Sequence, residues 1–339
     1  MSNKLLYEIT IIRPLIIFLL VVYHCLCVFT GGWTAPSGVE SLKVYWWLGK
    51  FISGFRIECI AFVGGYVMAY QFVERKKDQL FWPFVWKKVK RLLIPCVIFG
   101  LCFWMLFRYD GAWHWKSMCY RLIGGVSHLW FLPMLFWNFL VMWLVARWVR
   151  PEQRPWLAAA LFVALAVLSM FPNPKLYFGM SQVNHFFFYF YAGYVLRCYA
   201  SKILPQLNLR MAAGVLFILY VGLLLLRLKV AIPAHWSLWA IRIMRWGHIC
   251  CGIAALYCIV MDFLKRNPDY LPKPWLLWSN SVCYGVYVFH MFFLQWLYYK
   301  TSLPAVVNSW LLPWLALTIT MAGSLLIAAA FKKLKINII

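Results

Sequence analysis

Apolar runs of membrane-spanning length follow one another through almost the whole chain, and they limit it to one kind of fold. A run can cross the hydrocarbon core as a helix when it holds about 20 mainly apolar residues, because helical hydrogen bonding satisfies every backbone group within the segment. About ten runs are legible, at 9–29, 51–73, 92–107, 128–146, 156–171, 184–199, 211–228, 238–261, 281–299 and 306–330. Those at 92–107 and 156–171 are short for a full crossing. The expected fold is all-α, a polytopic transmembrane helix bundle in a single domain over 1–339, with no soluble domain of useful size. Composition agrees, since only 12% of residues are charged, about half the share of a soluble domain. The first run has Arg13 at its start and His24 inside it, and no small-x-small cleavage site follows closely. It reads as a retained span rather than a leader.

The net charge of +24 would point to nucleic acid in a soluble protein. Here the basic residues cluster between apolar runs, which is the pattern of cytoplasmic loops facing an anionic leaflet. Arg75, Lys76, Lys77, Lys87, Lys88, Lys90 and Arg91 follow the second run. Arg147, Arg150 and Arg154, then Arg197, Lys202 and Arg210, then Lys265, Arg266 and Lys273, and finally Lys332, Lys333 and Lys335 continue in alternate loops. The intervening loops are poorer in positive charge, although Arg108, Lys116 and Arg121 share one. This asymmetry places both termini in the cytoplasm, which requires an even number of spans. The eleven cysteines form no C-x-x-C pair and mostly lie singly in apolar runs. They read as small buried hydrophobes, and no metal site is expected.

Ionisable groups at membrane depth are costly unless paired or wet, so they are the first candidates for function. Of nine carboxylates, Glu58 alone lies well inside a run, two residues from Arg56. Residues two apart diverge on a helix, so these two need not pair with each other. Arg13 and His24 are eleven residues apart, which leaves them on one helix face with about 20° of drift and roughly 16 Å of axial separation. Tyr284, Tyr287 and His290 recur every third residue as a polar stripe on an apolar helix. Each has a bland counterpart: a structural ion pair for Glu58, a snorkelling arginine with a hydrogen-bonded histidine for the first span, and aromatic packing for the stripe.

Taken in order, these segments resemble the membrane-bound acyltransferase-3 family, bacterial O-acyltransferases that modify surface glycans. Arg13-x10-His24 is similar to the family's Arg/Lys-x10-His signature. Phe55-Arg-Ile-Glu-Cys-Ile-Ala-Phe-Val-Gly-Gly resembles its second-span pattern, with Gly64 where serine is usual. Lys87-Lys-Val-Lys-Arg-Leu-Leu-Ile-Pro resembles a basic R-x-x-R segment, with Lys88 replacing its first arginine. His128-Leu-Trp-Phe-Leu, which carries Trp130, matches a Leu-Trp-Phe-Leu run, and Tyr284-Gly-Val-Tyr-Val-Phe-His a terminal Tyr-x-x-Tyr-Leu-x-His run, with Cys283 where serine precedes the tyrosine. The resemblance covers approximately residues 8–330, in the short form without an appended esterase-like domain.

The resemblance implies a multi-pass protein of the bacterial inner membrane that moves an acyl group, most often acetyl, from cytosolic acyl-CoA to a glycan or lipid-linked glycan hydroxyl. Acyl-CoA is then a donor substrate, with no bound cofactor and no nucleic-acid partner. A sugar hydroxyl attacks a thioester well only as its proton is removed, and imidazole is suited to that near neutral pH. His24 is therefore the expected general base, with Glu58 as an orienting carboxylate. Arg13, Lys88 and Arg91 are expected to hold the phosphates of acyl-CoA; Lys88 keeps the charge but not the bidentate grip of arginine. Arg56, Trp130, Tyr284, Tyr287 and His290 are expected to line the supporting cavity. A polysaccharide-intermediate transporter using the same polar residues as a proton relay is the alternative.

Overall fold

The computed structural model describes residues 6–76, 80–108, 115–171, 176–229 and 237–334. The loop charges at Lys77 and Lys335 lie outside them. The helices are α1 (Tyr7–Cys25), α2 (Lys43–Ser53), α3 (Arg56–Ala69), α4 (Phe81–Lys88), α5 (Ile94–Phe107), α6 (Trp115–Gly124), α7 (Phe131–Trp148), α8 (Pro155–Ser169), α9 (Val183–Ile203), α10 (Leu209–Lys229), α11 (Ser237–Arg266), α12 (Pro274–Tyr299) and α13 (Leu312–Lys333). Several begin with a proline in the first turn, at Pro95, Pro155, Pro274 and Pro313, where its missing N–H costs nothing.

The chain is an all-α, multi-pass membrane protein. Among the described residues, seven helical segments are long and apolar enough to cross a bilayer: Tyr7–Cys25, Lys43–Glu74, Phe81–Phe107, Ser127–Trp148, Leu209–Leu228, Leu238–Arg266 and Leu312–Lys333. The other three apolar runs are helical too. Pro155–Ser169 is short, while α9 and α12 carry polar residues such as Asn184, Arg197, Ser279 and Asn280 along their length. The outward side of α10 shows what solvates such helices: Met211, Val215, Ile218, Leu219, Leu225 and Leu226 are all exposed, as lipid-facing residues are.

The helices fall into two compact units. The first holds residues 1–60 and 204–334. In it α1 packs along α12, α11 and α13, α12 packs on α13, and α10 pairs with α11. Ile9, Ile12, Ile16 and Leu20 form the buried face of α1, while Leu15 and Phe18 point outward. The segment after α1 is tied down at several points. Tyr299 Oη donates to Thr34 O at 2.9 Å, Glu40 N donates to Ser309 Oγ at 2.9 Å, and Trp314 Nε1 donates to Tyr45 Oη at 2.8 Å.

The second unit holds residues 61–203. Its α9 is a band of buried rings from Phe186 to Tyr191, packed on α7 and α8. Two glycines let α9 approach α3 closely. A Cβ on Gly65 would sit 1.8 Å from Phe190 O, and one on Gly193 would sit 2.0 Å from Phe62 O. Small residues at such crossings are how helices associate where lipid removes the hydrophobic drive. At Gly64 a Cβ would meet side chains alone, the Phe190 ring at 3.0 Å and Leu135 Cδ1 at 3.6 Å, so Gly65 is the stringent member of the Gly-Gly pair. Gly193→Ala is expected to destabilise the protein by about 1–3 kcal/mol through overpacking, seen as a lowered thermal midpoint in detergent.

One predicted span differs in detail. The run at 51–73 is two helices, α2 and α3, separated at Gly54 and Phe55. Gly54 keeps helical dihedrals there, and its missing side chain makes room for His248, since a Cβ on Gly54 would lie 2.1 Å from His248 Nε2. His248 is itself fixed: its Nδ1 donates to Tyr220 O at 2.9 Å, and its ring stacks on Tyr220 at 4.1 Å. Gly54→Val is expected to drive this buried stack apart, which intrinsic tryptophan or near-ultraviolet dichroism would register as lost tertiary order.

Candidate active site

The helix break explains the two buried charges beside it. Arg56 and Glu58 both lie in the first turn of α3 and are both buried. The Arg56 guanidinium donates from Nη1 to Ser53 O at 3.0 Å, satisfying a carbonyl at the end of α2. Glu58 sits at the start of α3, where the helix dipole favours an anion. The two lie within Coulombic reach of each other. Arg56 also lies 3.4 Å over the ring of Tyr23 on α1, a cation–π contact that joins the break to the first helix.

One residue beyond Tyr23 is His24, in the last turn of α1. Its Nδ1 is 3.1 Å from Nε2 of His290 on α12. The ring centroids are 5.0 Å apart. His290 is wholly shut from solvent, and its Nδ1 lies 2.7 Å from Tyr287 O and 3.2 Å from Val286 O. A carbonyl oxygen only accepts, so Nδ1 of His290 must carry hydrogen and donate. A full imidazolium at this depth would be expensive to desolvate, and Arg56 is already within Coulombic reach. Neutral His290 therefore presents Nε2 as an acceptor, and His24 Nδ1–H donates to it. In the neutral form of His24 the ring's lone pair is then on Nε2. The proton positions follow from the partners and define a single tautomer for each ring.

Two further side chains frame His24. The Trp33 ring stacks on it at 5.9 Å and 14°. Tyr298 on α12 packs edge-on to Trp33, and its hydroxyl donates to Cys25 O at 2.6 Å, locking α12 against the end of α1. Neither was singled out in the sequence. A signal for Tyr298 is present, because the stripe Tyr284, Tyr287, His290 extends through Leu294 to Tyr298 at four-residue steps. Trp33 follows the helix in a non-helical segment, where no periodicity can mark it.

The expected site residues thus divide by unit. Arg13, His24, Arg56, Glu58, Tyr284, Tyr287 and His290 all belong to the first. Arg13 is half-buried on α1 and within Coulombic reach of Cys283, next to half-buried Tyr284. Tyr287 is buried beside His290, with ring centroids 6.1 Å apart. Lys88, Arg91 and Trp130 belong to the second unit. There the Lys88 ammonium sits 3.3 Å over the Phe139 ring and 5.3 Å over Phe84. Arg91 is exposed in the π-helical turn Val89–Leu93. Trp130 packs on Phe186 and lines a cavity of about 540 Å³ with Tyr120, Tyr177, Phe178 and Gln182. Among the described residues, no group of three or more His, Cys, Asp or Glu is placed to hold a metal ion.

The arrangement has the parts of a proton-transfer centre: an imidazole held in one tautomer by a second imidazole, which a backbone carbonyl holds in turn. No curated protein matches the chain, and no solved structure matches it. An acyltransferase domain does match, over residues 6–332. Nearly the whole chain is therefore covered by one domain, and the protein is an acyltransferase that belongs to the acyltransferase-3 family.

Proposed function

We propose that this membrane acyltransferase moves an acyl group, most simply acetyl, from acyl-CoA to a hydroxyl of a cell-surface or lipid-linked polysaccharide. The observation that carries the mechanism is the 3.1 Å contact between His24 Nδ1 and His290 Nε2. With Nδ1 committed as a donor, Nε2 of His24 takes the proton of the acceptor hydroxyl as its oxygen attacks the thioester carbonyl. The C–S bond then breaks, and the CoA thiolate leaves with the proton returned by His24. His290 orients the ring through this contact, beside the orienting carboxylate proposed at Glu58, which also lies within Coulombic reach of Arg56.

Arg13, Lys88 and Arg91 remain the proposed contacts for donor phosphates, and the Trp130 cavity with its rings and amide suits a sugar acceptor. The chain is read as one catalytic domain, in a ten-span protein of the bacterial inner membrane with its termini in the cytoplasm. Chemistry within the membrane also keeps water from the thioester.

Purified protein with labelled acyl-CoA and an extract of surface glycans tests this reading. Label transferred to glycan, and an acyl mass difference between glycans made with and without the protein, is the expected result. Donor consumption without any acylated glycan would overturn it.

A further inference from the structure

The second unit contains an open cavity of about 360 Å³ that none of the site residues above lines. Lys76, Arg147 and Arg150 contribute three cations to its wall, Glu152 one carboxylate, and Phe72 and Trp143 aromatic surface. Its size falls within the range of small-ligand clefts.

Two of the cations are held in an unusual way. Lys76 follows the π-helical end of the Lys43–Glu74 segment, and Arg150 follows α7. Both have positive φ, 48° and 50°. That is the position where helices normally end in glycine, because a Cβ there costs about 1–2 kcal/mol. Arg150 N still closes the helix end by donating to Val145 O at 3.2 Å. Glycine would serve the backbone better at both ends, yet both carry a cation on the wall of one cavity.

The carboxylate narrows the ligand class. The Glu152 carboxylate is engaged by the Tyr194 hydroxyl on the same wall, while its buried Oε2 has no hydrogen-bond partner among the described residues. A simple phosphate or sulfate would be repelled by it. A ligand that joins phosphates to hydrogen-bond donors and a flat ring would satisfy all three parts of the wall. Phosphates would meet Lys76, Arg147 and Arg150, a ribose hydroxyl or exocyclic amine would donate to Glu152, and a base would lie against Trp143 or Phe72.

We propose that this cavity binds the 3′-phosphoadenosine end of the acyl donor, CoA, leaving its diphosphate to the contacts proposed above. The proposal rests on the acyl-CoA reading above. It agrees with the basic loops, since Lys76, Arg147 and Arg150 all follow runs whose ends the charge asymmetry directs to the cytoplasm.

The test uses the full-length protein in nanodiscs of neutral phosphatidylcholine, titrated with adenosine 3′,5′-bisphosphate, which lacks the pantetheine arm. Wild-type protein and His24→Ala should bind it equally, in competition with acyl-CoA. Arg147→Ala combined with Arg150→Gly should weaken binding by about tenfold or more, the scale of lost charge-assisted hydrogen bonds. Arg150→Gly relieves the backbone at that position, so its own loss of affinity cannot be attributed to unfolding. Binding unchanged within about twofold in the double variant would overturn the assignment. So would loss of nucleotide binding when phosphatidylglycerol replaces the neutral lipid, because an anionic headgroup would then be the occupant. A wild-type protein that binds the bisphosphate through these residues but transfers no acyl group supports the cavity and removes the acyl-transfer reading, so the two fail separately.

Discussion

His24→Ala is expected to lower acyl transfer by about 10²–10⁴-fold, the usual contribution of a general base, as the role proposed for His24 requires. The loss should fall on kcat, because the ring acts on the proton in flight rather than on the donor's phosphates. His24 lies in the last turn of α1 and is only partly buried, so alanine there leaves the helix core of Ile12, Ile16 and Leu20 intact. The variant should insert and run as wild type on size exclusion. Wild-type turnover in a variant of unchanged stability would dismiss His24 as the base.

His290→Phe is the second large effect, expected at about 10- to 100-fold in kcat by analogy with groups that orient a reacting imidazole. Phenylalanine keeps a ring in the buried site but offers no acceptor to His24 Nδ1–H, so His24 loses its defined tautomer. His290→Gln should recover a substantial part of the rate, because its amide carbonyl can accept from His24 while its NH₂ donates toward Tyr287 O. A merely space-filling role predicts the opposite order, with Phe better than Gln. Steady-state kinetics of the two variants, with thermal midpoints measured alongside, separate these outcomes.

Much of the architecture was legible in the chain. Each of the apolar runs is helical, because apolar length alone obliges a segment in lipid to satisfy its own backbone. The Arg13–His24 spacing was also legible, since both lie on one continuous helix, α1. The helix break at Gly54 was not. Nor was the close approach of His248, nearly 200 positions away in sequence, since local composition around Gly54 holds no trace of that ring. What the chain did not show is that Arg56 donates to Ser53 O at the end of α2 and that Glu58 falls in the first turn of α3.

The His24–His290 contact marks the same division. Sequence by itself determined that each histidine lies on a polar face of an apolar helix, because that follows from a period of about 3.6 residues per turn. It also determined the membrane setting and the family's ordered motifs. Only the tertiary structure decided which polar group meets which, and so brought His290 Nε2 to 3.1 Å from His24 Nδ1. The same holds for Lys76 and Arg150, whose shared cavity depends on two helix ends converging. Periodicity sets the face a residue occupies along its own helix. Partners across helices are set by packing between segments far apart in the chain, and a single sequence carries no direct record of that.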